Sequence, residues 1–261
     1  MSVQKSWSEL QKMARACRIV VDTLDLLEAA AVHGVTTKEL DRIARDHIVK
    51  AGAKPAFLGY RGYPASLCVS VNEEVVHGIP GSRKLKEGDI VGLDMGCIVD
   101  GFYGDAARTV AVGRVSGEAR RLMKVTQESL FAAIEMCRPG KRVGDVGHAV
   151  ESHATKHGYS VVRDFVGHGI GTKLHEEPQV PNYGPPGRRE RLVPGLCLAI
   201  EPMLNVGGPE VEVLKDGWTA VTKDKSLSAH FELSVAVTPL GPWILSEPYP
   251  YADQQAEIRH A

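Results

Sequence analysis

Four carboxylate residues stand in stretches of sequence that otherwise predict buried strands. They are Asp94, Asp105, Glu201 and Glu232. Each of them, taken singly, is compatible with an acid at a strand end that faces water. Four such acids, together with an imidazole at His168, favour a metal site instead, because a buried carboxylate is unstable without a cationic partner.

Two of these acids belong to a predicted β-hairpin. The Asp-Gly dipeptide at 100–101 is a strong turn signal between two strand-like runs. With this dipeptide as the loop, Asp94 lies opposite Ala107. In the same register, Asp105 lies opposite Gly96. Side chains alternate along a strand, so both carboxylates point to one face, with Cα atoms roughly 7–8 Å apart. The small residues beside them leave room for a ligand above that face.

The donor types narrow the choice of metal. Four carboxylates and one imidazole form a hard, oxygen-rich set that suits Mn, Fe(II), Co(II) or Zn rather than Cu(I) or an iron–sulfur cluster. Four negative charges are too many for one divalent ion but match two ions joined by bridging carboxylates, as in two-metal hydrolytic sites.

Four amphipathic helices, arranged in two pairs, are predicted to position this site. They cover residues 7–34, 36–52, 117–137 and 143–157. An offset of 106 residues superposes the pairs, and each pair is followed by extended chain and a His-Gly-Ile tripeptide, at 77–79 and 168–170. Residues that start and end helices can recur by chance, but their matching order and spacing favour a duplicated helix–helix–strand unit with a site between the halves.

The fold class expected is therefore α+β, in a single domain over 1–261 with repeats at roughly 7–113 and 117–240. Strands and loops are predicted for most of 55–113 and from residue 160 onward. The stretch after Gly241 is expected to wrap the surface or fray.

Composition excludes several classes of function. The 261 residues carry 31 Lys and Arg against 32 Asp and Glu, so no global positive field favours nucleic acid or an anionic membrane. No apolar run approaches the ~20 residues that span a bilayer. Five scattered cysteines without a Cys-x-x-Cys pair favour a reducing compartment, so we expect a cytoplasmic protein.

Five stretches, in order along nearly the whole chain, resemble the type I methionine aminopeptidases. They are the segments 71–80, 89–112, 167–178, 199–203 and 216–232. The resemblance implies the pita-bread fold, in which two pseudo-twofold halves surround a curved antiparallel sheet. That fold agrees with the predicted repeat.

The resemblance also implies a role for each metal ligand. Asp94 chelates one ion, and Asp105 and Glu232 bridge two. His168 and Glu201 complete the other ion. The cofactors implied are thus two divalent ions per chain, which are Co, Mn, Fe(II) or Zn.

Two further histidines are implied to contact the scissile group of the substrate without binding metal. Without the resemblance, His77 is equally a turn residue before Gly78, and His175 a cap before the segment 176–178. Glu201 is the expected proton shuttle from the metal-activated water to the leaving amine.

The family's methionine pocket maps onto four positions, which are Tyr60, Tyr63, Cys68 and Trp218. Aromatic walls and a small thiol suit an unbranched thioether; ordinary hydrophobic core is the alternative, above all for Cys68. Three positions depart from the family pattern: Phe57, Leu174 and Leu233. The first two are expected to reshape the pocket, and none is a metal ligand.

The reaction implied is removal of N-terminal methionine from nascent proteins and peptides with a small second residue. Short connections between His175, Glu201 and Glu232 resemble the short bacterial or organellar form. One alternative is another pita-bread peptidase, such as prolidase or aminopeptidase P, which usually carries an extra N-terminal domain. The other is a binding protein on the same fold, against which the five filled ligand positions argue.

The partners expected from the resemblance are the N-termini of nascent polypeptides. Docking on the ribosome is left open by family analogy, and no basic tail supports RNA contact. We expect a monomer without a DNA or membrane partner.

Overall fold

The computed structural model describes residues 4–251. Its helices are α1 (Trp7–Ala30), α2 (Thr37–Lys50), α3 (Gly117–Ile134) and α4 (Val143–Lys156), with a 3₁₀ turn at Tyr60–Gly62. Its strands are β1 (Lys54–Pro55), β2 (Cys68–Val71), β3 (Glu74–Val76), β4 (Ile90–Val99), β5 (Phe102–Ala111), β6 (Ser160–Val161), β7 (Gly167–Gly169), β8 (Glu176–Val180), β9 (Cys197–Ile200), β10 (Met203–Asn205), β11 (Val211–Val213), β12 (Ala220–Thr222), β13 (Ser228–His230), β14 (Glu232–Thr238) and β15 (Gly241–Ile244). Among the helices of this part of the chain, none is both long and apolar enough to cross a membrane.

The helices begin where the sequence supplies capping residues. Before α1, the Ser6 backbone N–H donates to the Glu9 carboxylate at 2.7 Å. Before α2, the Glu39 N–H donates to the Thr36 hydroxyl at 3.2 Å, and the Thr36 N–H donates to the Glu39 carboxylate at 2.8 Å. These reciprocal bonds satisfy N–H groups that lack partners within the helix. The predicted starts of both helices are therefore confirmed.

Two predicted helix ends lie too far along the chain. Helix α1 ends at Ala30 rather than at Gly34. Helix α3 ends at Ile134, three residues before 137, where the Met136 and Cys137 N–H groups donate to carbonyls only three residues back. Such tightened bonds end an α-helix while still satisfying its last carbonyls.

A nine-stranded antiparallel sheet dominates the molecule. Its order is β1-β4-β5-β14-β9-β7-β8, with β2 paired to β4 and β15 paired to β14. Two small sheets, β13-β10-β6 and β11-β12-β3, complete the strands of the described chain. The prediction that the stretch after Gly241 frays or wraps the surface was wrong for residues 241–244, because β15 extends the sheet and buries Trp243. Residues 252–261 of that stretch lie outside the described residues.

Each helix pair covers one half of this sheet. Helices α1 and α2 pack Val20, Leu24 and Leu40 with Leu93 of β4 in one apolar cluster. Helices α3 and α4 pack against β9 and β14 in another. Because side chains alternate along a strand, Leu93 faces the helices while its neighbour Asp94 faces the other side. The helices thus leave one face of the sheet free for a site.

The predicted repeat remains a proposal, and the local backbone supports it. Gly34 and Gly140, which the 106-residue offset superposes, have φ of 92° and 88°. Gly52 and Gly158 have φ of 77° and 82°. Each pair of glycines thus adopts the same left-handed conformation after the corresponding helix, as glycine does at helix ends.

Candidate metal centre and substrate pocket

The free face of the large sheet carries two neighbouring rows of residues. The first row pairs Cys68 with Asp94, Asp94 with Ala107, and Ala107 with Glu232. The hairpin register predicted from the Asp-Gly turn is confirmed, since Asp94 lies opposite Ala107. Opposed residues share a face, so the Ala107 methyl group leaves space between the carboxylates of Asp94 and Glu232.

The second row brings Asp105 and His168 to the same face. Asp105 lies opposite Gly96, and Ala199 pairs with both Ser234 and His168. The Ser234 hydroxyl joins β14 to β5, because it accepts from the Asp105 N–H at 3.2 Å and donates to the Asp105 carbonyl at 2.8 Å.

Glu201 joins this group from the end of β9. It follows Ile200 directly, and its carboxylate lies 3.5 Å from His168 Nε2. The Asn182 side-chain amide donates to the Glu201 carbonyl at 2.9 Å and fixes the turn. The predicted ligand positions thus converge on one place in the molecule.

All eleven predicted site residues line one cavity of about 170 Å³. They are Asp94, Asp105, His168, Glu201, Glu232, His77, His175, Tyr60, Tyr63, Cys68 and Trp218. Two of the three departures from the family pattern, Phe57 and Leu174, line it as well. Leu233 instead packs into the apolar clusters on the helix side. Carboxylates form one part of the cavity wall and apolar side chains the other.

Burial raises the pKa of every carboxyl in the cluster. It raises the pKa of Asp94 to about 7. Burial, followed by repulsion from neighbouring carboxylates, raises the pKa values of Asp105, Glu201 and Glu232 well above their ordinary range. One oxygen each of Asp94, Asp105 and Glu232 is buried without a hydrogen-bond partner. A group of this kind is unstable unless protons or cations neutralise it.

His168 is an uncharged imidazole with one ring nitrogen available to bind metal. Its Nδ1 donates to the Gly169 carbonyl at 2.9 Å, which leaves the lone pair on Nε2. That nitrogen faces Glu201 at 3.5 Å and Asp105 at 4.0 Å. Burial lowers the pKa of His168 to about 3, so the ring is uncharged at neutral pH, as a metal ligand must be.

These residues fit divalent metal. Ligand atoms of Asp105, His168 and Glu232 lie within 4.8 Å of one another, all on buried residues. The orphaned carboxylate oxygens supply acceptors that nothing in the described protein satisfies. Four carboxylates and one neutral imidazole match Mn, Fe(II), Co(II) or Zn.

His77 is a turn residue whose ring lines the cavity. It follows β3 with φ of 63°, so it is a turn residue in a left-handed conformation uncommon outside glycine. Its ring nevertheless lines the cavity and meets Phe165 edge to face at 5.3 Å between centroids. Burial lowers the pKa of His77 to about 4, so the ring is neutral at physiological pH.

His175 stands at the exposed side of the cavity. Its Nδ1 lies 2.7 Å from the Tyr60 hydroxyl, and its ring centroid lies 4.2 Å from that of His168. The Tyr60 contact orients the imidazole, and a hydroxyl that donates to Nδ1 puts the ring proton on Nε2.

The apolar wall of the cavity is a compact cluster. It contains Phe57, Tyr63, Cys68 and Leu174, with Tyr60 and Trp218 packed against it. The Tyr63 hydroxyl donates to the Gly78 carbonyl at 2.9 Å, so its ring is fixed. Cys68 is therefore both buried core, as the alternative had it, and cavity lining.

Sequence reasoning missed two residues here. The buried His230 places Nε2 3.8 Å from the Glu201 carboxylate, without a hydrogen-bond partner among the described residues. Arg61 lines the cavity mouth and lies over the Tyr60 ring. A signal for His230 existed, since it precedes Glu232 by two residues and extended chain presents such residues on one face.

Comparison with known proteins places this site in a family. Residues 11–239 match the model of metallopeptidase family M24. The methionine aminopeptidase of Clostridium perfringens is 51% identical over 246 residues, which cover 94% of this chain and 99% of that protein. The crystal structure of the methionine aminopeptidase from Thermotoga maritima is 46% identical with a TM-score of 0.93, over 95% of this chain and all of that chain.

More distant structures share the architecture alone. The prolidase of Pyrococcus horikoshii is 21% identical with a TM-score of 0.77, and the match covers 95% of this chain and 64% of that chain. The expected α+β pita-bread fold is confirmed by these neighbours and by the antiparallel sheet with its helix pairs. The chain belongs to metallopeptidase family M24 and, within it, to the methionine aminopeptidases.

Proposed function

We propose that this chain removes the N-terminal methionine from polypeptides in a metal-dependent hydrolysis. One observation carries the proposal: buried carboxylates with unpartnered oxygens adjoin an aromatic, apolar pocket within a single cavity. The first feature fits divalent cations and the second fits a thioether side chain. Membership of the methionine aminopeptidases supports the same reaction.

The metal ligands we assign are Asp94, Asp105, His168, Glu201 and Glu232. These four carboxylates would balance the charge of two divalent ions. Bound there, divalent ions supply Lewis acidity, which lowers the pKa of a water molecule and polarises a carbonyl. The protein contributes the fixed, dry donor set in which that chemistry occurs.

The apolar wall selects the side chain of the first residue. Tyr63, Cys68 and Trp218 offer an aromatic and thiol surface to an unbranched thioether. Phe57 and Leu174 belong to the same cluster and line the cavity as well. We propose a preference for a small second residue, as membership of the methionine aminopeptidases suggests; His175 and Arg61 line the cavity beside the apolar wall.

The histidines hold the scissile amide. With its proton on Nε2, His175 donates to the amide oxygen, whose negative charge grows during attack. His77, neutral and held against Phe165, contacts the amide from the other side.

Glu201 moves the proton. Its buried carboxylate lies among the other ligand groups, 3.5 Å from His168 Nε2. An ionised carboxylate at that position can accept a proton from the attacking water and then transfer it to the leaving amine.

The test is peptide release by the chelated protein reloaded with Mn, Fe(II), Co or Zn. We expect cleavage of Met-Ala-Ser and little cleavage of an X-Pro peptide. Glu201→Gln is expected to lower kcat by about 10²–10⁴-fold, whereas Glu190→Gln, on an exposed loop, leaves it unchanged. Faster cleavage of the X-Pro peptide would instead identify a prolidase-like enzyme. Neither cleavage nor bound metal would indicate a binding protein.

We propose further that the chain acts in the cytoplasm as a monomeric single domain on nascent N-termini, with ribosome docking tested by co-sedimentation. All five cysteines are free and buried, which suits a reducing compartment. Size-exclusion chromatography with light scattering tests the monomer.

A further inference from the structure

A second group of metal-ligand side chains lies away from the cavity, at the end of α4. His153 and His157 are four residues apart, so they share one face of the helix terminus. Their ring centroids lie 4.5 Å apart. Glu128 of the neighbouring helix α3 faces them, with its carboxylate 3.2 Å from His153 Nε2. One ligand atom from each of the three residues lies within 4.8 Å of the other two.

We propose that Glu128, His153 and His157 form a peripheral binding site for a divalent transition-metal ion of the Zn²⁺ class. Two imidazoles and one carboxylate are donors that suit Zn, Ni, Cu and Co, whereas Mg and Ca prefer oxygen alone. Three protein ligands leave further positions for water.

The distances suit a small ion. Zn–N and Zn–O bonds of about 2.0–2.2 Å place neighbouring tetrahedral donors roughly 3.3 Å apart. The distance from His153 Nε2 to the Glu128 carboxylate is 3.2 Å, close to that spacing, and an ion would replace the proton of this contact. The donor atom of His157 lies within 4.8 Å of the other two.

The second histidine is oriented by the backbone. His157 Nδ1 lies 2.9 Å from the His153 carbonyl. Donation of the Nδ1 proton to that oxygen leaves the lone pair on Nε2. A ring nitrogen bonded to a carbonyl, with the other free for metal, is the arrangement of most metal-binding histidines.

The surroundings admit a cation. The side chains of His153 and Glu128 are 24% and 42% exposed, so an ion can enter without local unfolding. His157 caps the C-terminus of α4, where the partial negative charge of the helix favours cations. Two positive groups oppose this: Lys124 lies 3.8 Å from Glu128, and Arg121 donates to the His157 carbonyl at 2.8 Å. Lys124 contacts the other Glu128 oxygen, which leaves Oε2 directed at His153.

Bound metal at this site joins the last turn of α4 to α3. Neither helix contributes a residue to the catalytic cavity, so the ion is expected to change metal content without changing peptide cleavage. The site therefore predicts one Zn²⁺ per chain beyond those held by the central carboxylates.

The test is equilibrium dialysis of the whole protein against Zn²⁺ at pH 7.5, with metal counted by mass spectrometry. Wild type should bind one more equivalent than His153→Asn or His157→Asn. Glu128→Gln should lower the affinity for that additional Zn²⁺ by about tenfold or more. His148→Asn, on the same helix and exposed, is the matched control and should keep it. The central site is intact in all these variants, so their differences report the peripheral site alone.

Circular dichroism and Met-Ala-Ser cleavage should be unchanged in every variant. Equal Zn²⁺ content in wild type and both single histidine variants would overturn the proposal. Loss of the equivalent in His148→Asn would overturn it too. Failure of cleavage in wild type bears only on the proposed function, so the two outcomes are distinguishable.

Discussion

Tyr60 contributes to the site in two ways. Its ring lines the pocket, and its hydroxyl oxygen lies 2.7 Å from His175 Nδ1. Tyr60→Phe keeps the ring and removes the contact. We expect kcat on Met-Ala-Ser to fall about tenfold, with KM within about twofold, since His175 loses its orientation while the wall remains. Steady-state kinetics with metal content measured in parallel checks this. Tyr103→Phe, whose ring packs against the same cluster, is the control; a change in KM alone would reduce Tyr60 to a wall residue.

Side chains whose types contradict their surroundings were the ones that sequence could identify. Acids such as Asp105 and Glu232 are conspicuous in apolar strands, and burial bears this out. His230 was overlooked because histidine is common in half-buried strands, so nothing in its type sets it apart. Arg61 was overlooked because its place at the cavity depends on the tight 3₁₀ turn at 60–62, which the local sequence does not specify.

At the scale of elements, close packing of the hairpin on α1 positions the acids. Gly104 alternates with Asp105 and faces the helix, where an added Cβ would lie 2.5 Å from the Cys17 backbone nitrogen. Gly104→Ala must therefore push α1 away from β5. We expect a loss of about 1–3 kcal/mol in the free energy of unfolding, measured by urea denaturation.

The control for that substitution is Gly117→Ala at the start of α3, where an added Cβ meets nothing within 4 Å. This change is expected to be neutral or slightly stabilising, because alanine is the better helix former. Equal loss in both variants would mean that the contact between α1 and the hairpin is not tight.

Local chemistry made the elements themselves predictable, within limits. The hairpin turn was recognisable because an Asp-Gly pair readily adopts the positive φ that a two-residue loop requires. In the structure Asp100 and Gly101 have φ of 50° and 82°. The start of α2 is recognisable in the same way, because Thr36 with Glu39 three residues later is a capping pair. The strand β15 was missed because Gly241 and Pro242 are typical of loops, and its pairing with β14 depends on an edge that only the folded sheet provides.

At the scale of the whole molecule, the pairing of distant strands lay beyond local sequence. Glu232 lies beside Ala107 across the boundary between β5 and β14, although 125 residues separate them in the chain. No periodicity encodes such a partner. The repeat predicted that a site lies between halves, and the resemblance ordered the ligands, but neither gave the two rows on which they meet.

The buried carboxyl groups of this site affect the stability of the whole fold. The free energy of unfolding therefore depends on pH when metal is removed. Carboxyl groups with raised pKa hold protons in the native state that the unfolded chain has released, so the free energy of unfolding falls as pH rises through their native pKa values. His77, His168 and His230 have pKa values lowered by burial to about 4, about 3 and about 3. They act in the opposite direction below pH 6.5, but above it they are neutral in both states.

Between about pH 6.5 and 8, therefore, the carboxyl groups set the slope for the site. The chelated protein should lose up to about 1.4 kcal/mol per pH unit for each carboxyl that still holds its proton in the native state. Urea denaturation across this range measures it. Asp105→Asn should reduce the dependence of stability on pH, whereas Asp46→Asn, which replaces an exposed acid, should not. Saturating metal should abolish this dependence, because bound cations hold the carboxylates ionised at every pH in the range. A chelated protein whose stability is level or rises over this range would show that protons do not neutralise the cluster, and with it the account of why these buried acids need metal would fail.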